Sequence, residues 1–273
     1  MRAIWKGAIS FGLINIPISL SAATSKKSIS FKLLHEECKS PVNMQRYCQV
    51  CDREVGYNEL VKGYEYEKNS FVVLRDEDFD NLPVQSTKTI DIIDFVNLAE
   101  IDPIYYIKTY YLSPNPGGEK PYLLLKKALE KTGRVAISKI TIRNKESLAV
   151  IRAMEKSLAL ETMYFADEIR PVEGFNLEDI GEKIKISAKE EELAIEIINN
   201  LTADFRPGKY TDDYREELLK IIREKIEGKE VETPEKPLTD NKVLDLMERL
   251  KASVEASEKQ AQEAREGKKA GTG

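Results

Sequence analysis

The sequence predicts an α+β chain with a mainly β first part and a helical last part. Three observations predict it. Between residues 3 and 164, β-branched and aromatic residues recur in alternation with small or polar ones, the period of a strand. Beyond Glu190 the apolar residues recur every three to four positions, the period of a helix with one buried face. With 273 residues, 41% hydrophobic and 33% charged, the chain can bury a core in one large or two modest domains.

Ala3 to Leu20 alternates branched apolar with small or polar residues. Gly7 and Gly12 stand where a strand bends and Pro17 near an edge, so the segment reads as paired β structure. Further strands are predicted over Ile29 to Leu34, over Tyr64 to Leu74 with a turn at Lys68-Asn69, over Ile90 to Phe95 and over Ile104 to Leu112. The last carries Tyr105, Tyr106, Tyr110 and Tyr111, which suit a core or a dimer interface better than a base-stacking platform. Pro114-Asn-Pro-Gly-Gly118 is a loop, and Pro121 at a first helical position with Gly133 just past the end brackets a helix over 121–132. Gly117-Gly-Glu-Lys120 lacks the spacing of a phosphate loop and reads as a turn. Val135 to Arg143 returns to strand, with Val135, Ile137, Lys139, Thr141 and Arg143 on one face and Ala136, Ser138, Ile140 and Ile142 on the other. Two short strands follow, ending near Tyr164.

Ser187 with Glu190 three residues on is a capping box, and Leu193, Ile197 and Leu201 share a face of the helix it starts. A second helix begins at Thr211 with Asp212 and Asp213 in its first turn, where the helix dipole favours negative charge. It is expected to turn Tyr214, Leu218, Ile221, Ile222 and Ile226 inward and to stop at Gly228. Val231 to Pro237 reads as a linker. Residues 240–266 form a last helical candidate with Val243, Leu246, Met247, Leu250 and Val254 on one stripe. That stripe is too short for a core of its own; it suits docking on a partner, the alternative being packing back on its own domain.

All three cysteines and the only histidine fall in one segment, His35-Glu-Glu-Cys38 and Cys48-Gln-Val-Cys51. Two cysteines two residues apart can face one ion from a tight turn, and the His-x2-Cys pair supplies the other half of a tetrahedron. Thiolates and imidazole suit Zn²⁺, and four protein ligands leave no open position, so the expected ion is structural. A redox CxxC and a Cys38 disulfide are the alternatives. The surrounding Lys39, Arg46 and Arg53 make this a basic knuckle.

Charge is unevenly spread. The net charge is −5, yet residues 104–153 carry 10 basic and 3 acidic side chains, while residues 154–235 carry 12 and 22. A local basic cluster is enough to bind phosphate by displacing counterions. For Lys126, Lys127 and Lys131 a solvated helix face is an equally good reading. No nucleophilic triad, Walker pattern, dinucleotide fingerprint or H-E-x-x-H occurs, and the acidic run Asp76-Glu77-Asp78 with Asp80 reads as a solvated turn, so a binding protein is favoured over an enzyme. No apolar stretch reaches the roughly 18 residues of a membrane span. The first 24 residues imitate a signal peptide, but Lys6, Asn15 and Pro17 interrupt the apolar part. Metal-type cysteines fit a reducing compartment, so a cytoplasmic protein is expected.

Arg2-Ala-Ile-Trp-Lys-Gly-Ala-Ile-Ser-Phe-Gly-Leu-Ile-Asn-Ile-Pro17 closely resembles the opening of the bacterial Ku family. In order, Val61-Lys-Gly-Tyr-Glu-Tyr-Glu67, Val72-Val-Leu-Arg-Asp-Glu-Asp78, Ile101-Asp-Pro-Ile-Tyr105, Gly117-Gly-Glu-Lys120, Thr132-Gly-Arg-Val-Ala136, Tyr210-Thr-Asp-Asp-Tyr-Arg215 and Lys225-Ile-Glu-Gly-Lys229 extend the match to about residue 230. The resemblance implies a β-barrel core with a bridging arm over 1–185, in which the zinc knuckle occupies about 31–60. A helical arm over 186–230, a linker over 231–239 and a docking helix with a short tail over 240–273 would follow. It further implies a ring-shaped homodimer that threads onto double-stranded DNA ends in non-homologous end joining and recruits and stimulates an ATP-dependent ligase. His35, Cys38, Cys48 and Cys51 coincide with the zinc-knuckle insertion of bacterial members. A bore reading no sequence should meet phosphates through Lys and Arg, so Lys108, Lys120, Arg134, Lys139 and Arg143 are expected to line it, with Lys26, Lys27, Lys32, Arg46 and Arg53 around the knuckle. The Lys-rich tail of many relatives is reduced here to Lys268 and Lys269. The rivals are a zinc-knuckle scaffold or regulator that binds DNA without needing ends, and a metal-dependent nuclease using the acidic clusters.

Overall fold

The computed structural model describes residues 2–80, 88–142, 145–172, 184–229 and 250–259. The chain forms two compact units, Met1–Pro171 and Val172–Gly273.

The first unit is built on a closed barrel of seven strands in the order β1-β2-β8-β11-β10-β9-β7. Its strands are β1 (Trp5–Phe11), β2 (Ile14–Ala22), β7 (Thr89–Asn97), β8 (Tyr106–Pro114), β9 (Arg134–Ile142), β10 (Lys145–Ala153) and β11 (Leu158–Met163). Neighbours pair antiparallel except β1 and β7, whose short parallel register around Ala8 and Thr89 closes the circle. The predicted β segment over Ala3 to Leu20 is the β1–β2 hairpin, which reverses at Gly12-Leu13 with Gly12 at φ 59°. Pro17 pairs with Ala8 but lies just outside the β2–β8 ladder, which starts at Ile18, so its missing N–H breaks no bond there.

Period-two alternation turns one face of each strand inward. Ile9, Ile16, Ile18, Leu20, Ile90, Ala136, Ile151, Leu158 and Leu160 are 0% exposed and form the main core. The helix α2 (Glu119–Thr132) adds Tyr122, Leu125 and Leu129 to the same cluster, stops at Gly133 with φ 64°, and takes Pro121 two residues later in its first turn than the sequence predicts. The Tyr122 hydroxyl ties this helix to two strands: it donates to the Leu112 carbonyl at 2.7 Å and accepts from the Leu158 N–H at 2.7 Å. The opposite faces of β9 and β10 carry a second cluster, in which Val135, Val150 and Met163 pack with Val96, Ile101, Tyr105, Tyr106, Ile137 and Leu148. Tyr105 and Tyr106 are thus packing residues, and the strand predicted from Ile104 begins two residues later because residues 103–105 form a 3₁₀ turn capped by Asp102.

Between β2 and β7 the chain leaves the barrel. This excursion holds the hairpin β3 (Tyr47–Cys48) with β4 (Arg53–Glu54), the hairpin β5 (Lys62–Glu67) with β6 (Ser70–Leu74), and the short helix α1 (Asp76–Asp80). The β5–β6 hairpin turns at Lys68-Asn69 as predicted, with Asn69 at φ 63°. The strand predicted over Ile29 to Leu34 does not form. Only Leu34 makes a bridge, to Pro41, and Phe31 and Leu33 are exposed, because no neighbouring strand offers them a ladder or a buried face.

The second unit contains α3 (Ala188–Leu201), α4 (Asp213–Ile226) and helical residues 250–259, here α5. The capping box is as predicted: the Ser187 hydroxyl accepts from the Glu190 N–H, and the Glu190 carboxylate accepts from the Ser187 N–H at 2.7 Å. Side-chain placement departs from expectation. Leu193 is buried and Ile197 half-buried, but Leu201 is exposed, and on α4 Tyr214 and Ile226 are each 79% exposed while Leu218, Ile221 and Ile222 are half-buried. Tyr214 and Ile226 sit in the first and last turns of their helix, beyond the reach of what packs on its middle. The predicted linker falls outside the described residues, as do Val243, Leu246 and Met247.

Candidate nucleic-acid interface

The basic stretch 104–153 maps onto β8, α2, β9 and β10; β9 and β10 are neighbours with α2 packed against both, while β11 stands between β10 and β8. Alternation on β9 points Lys139 away from the main core, on the face of Val135 and Ile137. There its ammonium pairs with Glu146 of β10 at 3.2 Å and lies 5.9 Å from the ring centre of Phe165. Lys108 lies 5.6 Å from the ring centre of Tyr110. Lys120 is exposed in the first turn of α2 and Arg134 is exposed at the start of β9, while Arg143 lies outside the described residues.

Several of these cations are already neutralised. Besides Lys139, the pairs are Lys126 with Glu130, Lys145 with Glu168 at 3.4 Å, and Arg152 with Glu161 at 2.8 Å. Arg152 donates both Nε and Nη2 to one oxygen of the half-buried Glu161, and burial together with that carboxylate pushes the nearby Tyr106 hydroxyl above its ordinary value. Among the described residues no carboxylate forms an ion pair with Lys108, Lys120, Lys127, Lys131 or Arg134. The sequence left Lys127 and Lys131 open between phosphate binding and a solvated helix face. They share a face of α2 with Lys120, at spacings of seven and eleven residues, and that spacing was the available signal. The Lys126–Glu130 pair was equally visible as an i, i+4 contact, whereas Lys139–Glu146 and Arg152–Glu161 depend on strand register.

In the excursion, Lys26, Lys27 and Lys32 are exposed and without a described ion-pair partner. Arg46 lies 5.4 Å from the ring centre of Tyr57. Arg53 donates to both oxygens of Glu59, at 2.7 and 3.3 Å, and that contact is the largest of the effects holding the Glu59 carboxyl below its usual range. The metal-type residues stand as two pairs rather than the expected single set. His35 Nδ1 is 3.3 Å from Cys38 Sγ, and the Ser40 backbone N–H holds the Cys38 thiol below its ordinary value. In the β3–β4 hairpin the backbone N–H of Cys51 lowers the Cys48 thiol, and the Cys51 thiol, donating to Cys48, is raised. Amide donors aimed at sulfur suit thiolates that serve a soft cation, so each pair fits half of a zinc site. Among the described residues no three such side chains gather in one place, since no buried residue between 24 and 79 holds the two turns together.

Known proteins decide what the barrel is. Residues 10–195 match the family described as the Ku70/Ku80 beta-barrel domain. The chain belongs to the Ku family. It is 48% identical over 261 residues to the non-homologous end joining protein Ku of Symbiobacterium thermophilum, covering 95% of this chain and 64% of that one. It is 47% identical over 256 residues to the protein of the same name from Heliobacterium modesticaldum, covering 93% and 92%. The Ku of Bacillus subtilis is 41% identical over 257 residues, covering 93% and 82%. No described helix is long and apolar enough to cross a membrane.

Proposed function

We propose that this protein binds ends of double-stranded DNA without sequence preference and acts in non-homologous end joining. Two copies form a ring that threads onto the duplex, and the DNA-bound ring recruits and stimulates an ATP-dependent ligase that performs the chemistry. The observation that carries the reading is a Ku-family barrel whose acidic chain nevertheless concentrates +7 of charge in residues 104–153. Lys108, Lys120, Lys127 and Lys131 have no ion-pair partner among the described residues and are open to phosphate, Arg134 feels the Glu100 carboxylate without pairing to it, and Lys139 must surrender Glu146 to reach a phosphate. Arg143 belongs to the same stretch by sequence. Lys26, Lys27, Lys32 and Arg46 supply a second basic group, and Arg53 is occupied by Glu59. Zinc, held by His35, Cys38, Cys48 and Cys51, would staple the excursion where burial is poor.

Gel-shift binding to a linear duplex and to a covalently closed circle of identical sequence, over a salt series, tests this. Binding to the linear form alone supports threading; equal affinity for the circle identifies a side-on binder and ends the ring reading.

A further inference from the structure

The last described helix, α5, is not detached from its own unit. Its residues Leu250, Val254 and Ser257 fall at i, i+4 and i+7, so they share one face. Leu193, Ile197 and Asn200 have the same spacing on α3. Val254 is 9% exposed, Ser257 4% and Leu193 6%, while Leu250 and Ile197 are half-buried. The Asn200 side-chain amide donates to Ser257 Oγ at 3.2 Å, and Ser257 donates to the Val254 carbonyl at 2.8 Å. This part-buried polar contact, between half-buried Asn200 and buried Ser257, sets the register of the two helices. The remaining face of α5, with Lys251, Glu255, Glu258 and Lys259, is exposed.

We infer that α5 is a reversible latch seated on α3, and that closure withholds Leu250 and Val254 from any partner that docks through that stripe. Burial of Val254 and Ser257 ties α5 to its own unit, because most helical stability in a protein comes from packing one face rather than from the helix itself. Among the described residues the seam offers Leu250 and Val254 from α5, Leu193 and Ile197 from α3, and the Asn200–Ser257 hydrogen bond. Leu250 and Val254, the described part of the stripe read from the sequence as partner-docking, therefore have an occupant already, and ligase docking through them, which rests on the function proposed above, proceeds from the open form. Leu193 lies on the α3 side of the seam, so changing it opens the latch without altering the stripe.

Two experiments on the full chain test this. In an Asn200→Cys, Ser257→Cys variant, mild oxidation should form a disulfide within one chain, and oxidation should reduce stimulated ligation of blunt ends by about fivefold or more, reversed by reductant. A disulfide joining two chains, no disulfide, or unchanged stimulation in the locked form would overturn the latch. Second, maleimide labelling of Val254→Cys, read peptide by peptide, should be slow and become about tenfold faster when Leu193→Asp is added. Equal rates in the two backgrounds would also overturn it. If the unlocked protein never stimulates ligation, the recruitment reading fails while labelling still decides the latch.

Discussion

Residues 5–22 and residues 24–79 draw on the same kind of sequence, runs of β-branched and aromatic residues broken by Gly, Asn and Lys, and they end in opposite environments. The first becomes two barrel strands with Ile9, Ile16, Ile18 and Leu20 fully buried. The second becomes two isolated hairpins in which no residue is buried, and Tyr64, Tyr66, Phe71, Val72 and Val73 are exposed. The difference lies in neighbours. A strand in a closed barrel has a ladder on both edges and an interior to fill, while a lone two-stranded hairpin has neither and is marginal in water. Alternation therefore specifies strand geometry; closure supplies the burial.

The largest expected contrast is between equivalent truncations in the two regions. Leu160→Ala should destabilise the barrel by about 2–5 kcal/mol, whereas Val73→Ala should cost less than about 0.5 kcal/mol, measured by denaturant unfolding of each variant. A Val73→Ala cost matching the barrel's would mean that the hairpin is covered in solution by a second copy. Next, Tyr122→Phe removes the hydroxyl that satisfies Leu112 and Leu158, leaving a buried N–H unpaired, and should cost about 2 kcal/mol with the strands intact by circular dichroism. A loss under about 0.5 kcal/mol would show that α2 is not tied to the barrel through this contact.

A third test separates the regions by metal. Cys51→Ser should abolish retained zinc, measured on the purified protein by elemental analysis, and leave the barrel's thermal transition in place. Retention of stoichiometric zinc would remove Cys51 from the ligand set. The smallest effect is electrostatic. Glu59 has its folded pKa depressed chiefly by Arg53, so its contribution is present above the unfolded carboxylate value and is lost as pH falls through the depressed one. Chemical-shift titration of the excursion should show the Arg53 contact released below the ordinary Glu range, and Glu59→Gln should abolish that step. An unchanged step would assign it to another carboxylate.

Much of the fold was legible in the chain because its signals are local. The hairpin at Gly12, the turn at Asn69, the helix ended by Gly133 and the Ser187 capping box each rest on residues within four positions of one another. The candidate interface was only partly legible. The charge of 104–153 can be summed from sequence, but which cations are spent on Glu146, Glu161 and Glu168 depends on strand register and on a loop returning from elsewhere. Ile29 to Leu34 reads as a strand and is none, since β propensity measures fit to a half-buried sheet that is missing there.

By itself the sequence determined a strand-rich first part with one helix inside it and a helical last part, the turn and cap positions, the grouping of His35 with the three cysteines and the uneven charge. Tertiary structure alone decided that seven strands close on one another through a parallel contact of β1 with β7. It also decided that Asn200 of α3 bonds Ser257 of α5, and that the two cysteine-bearing turns stand apart. The physical reason is range: dihedral preference and hydrogen bonds between near neighbours act over a few residues. Closure, burial and ion pairing join positions far apart in the chain, and their energies exist only once those positions meet.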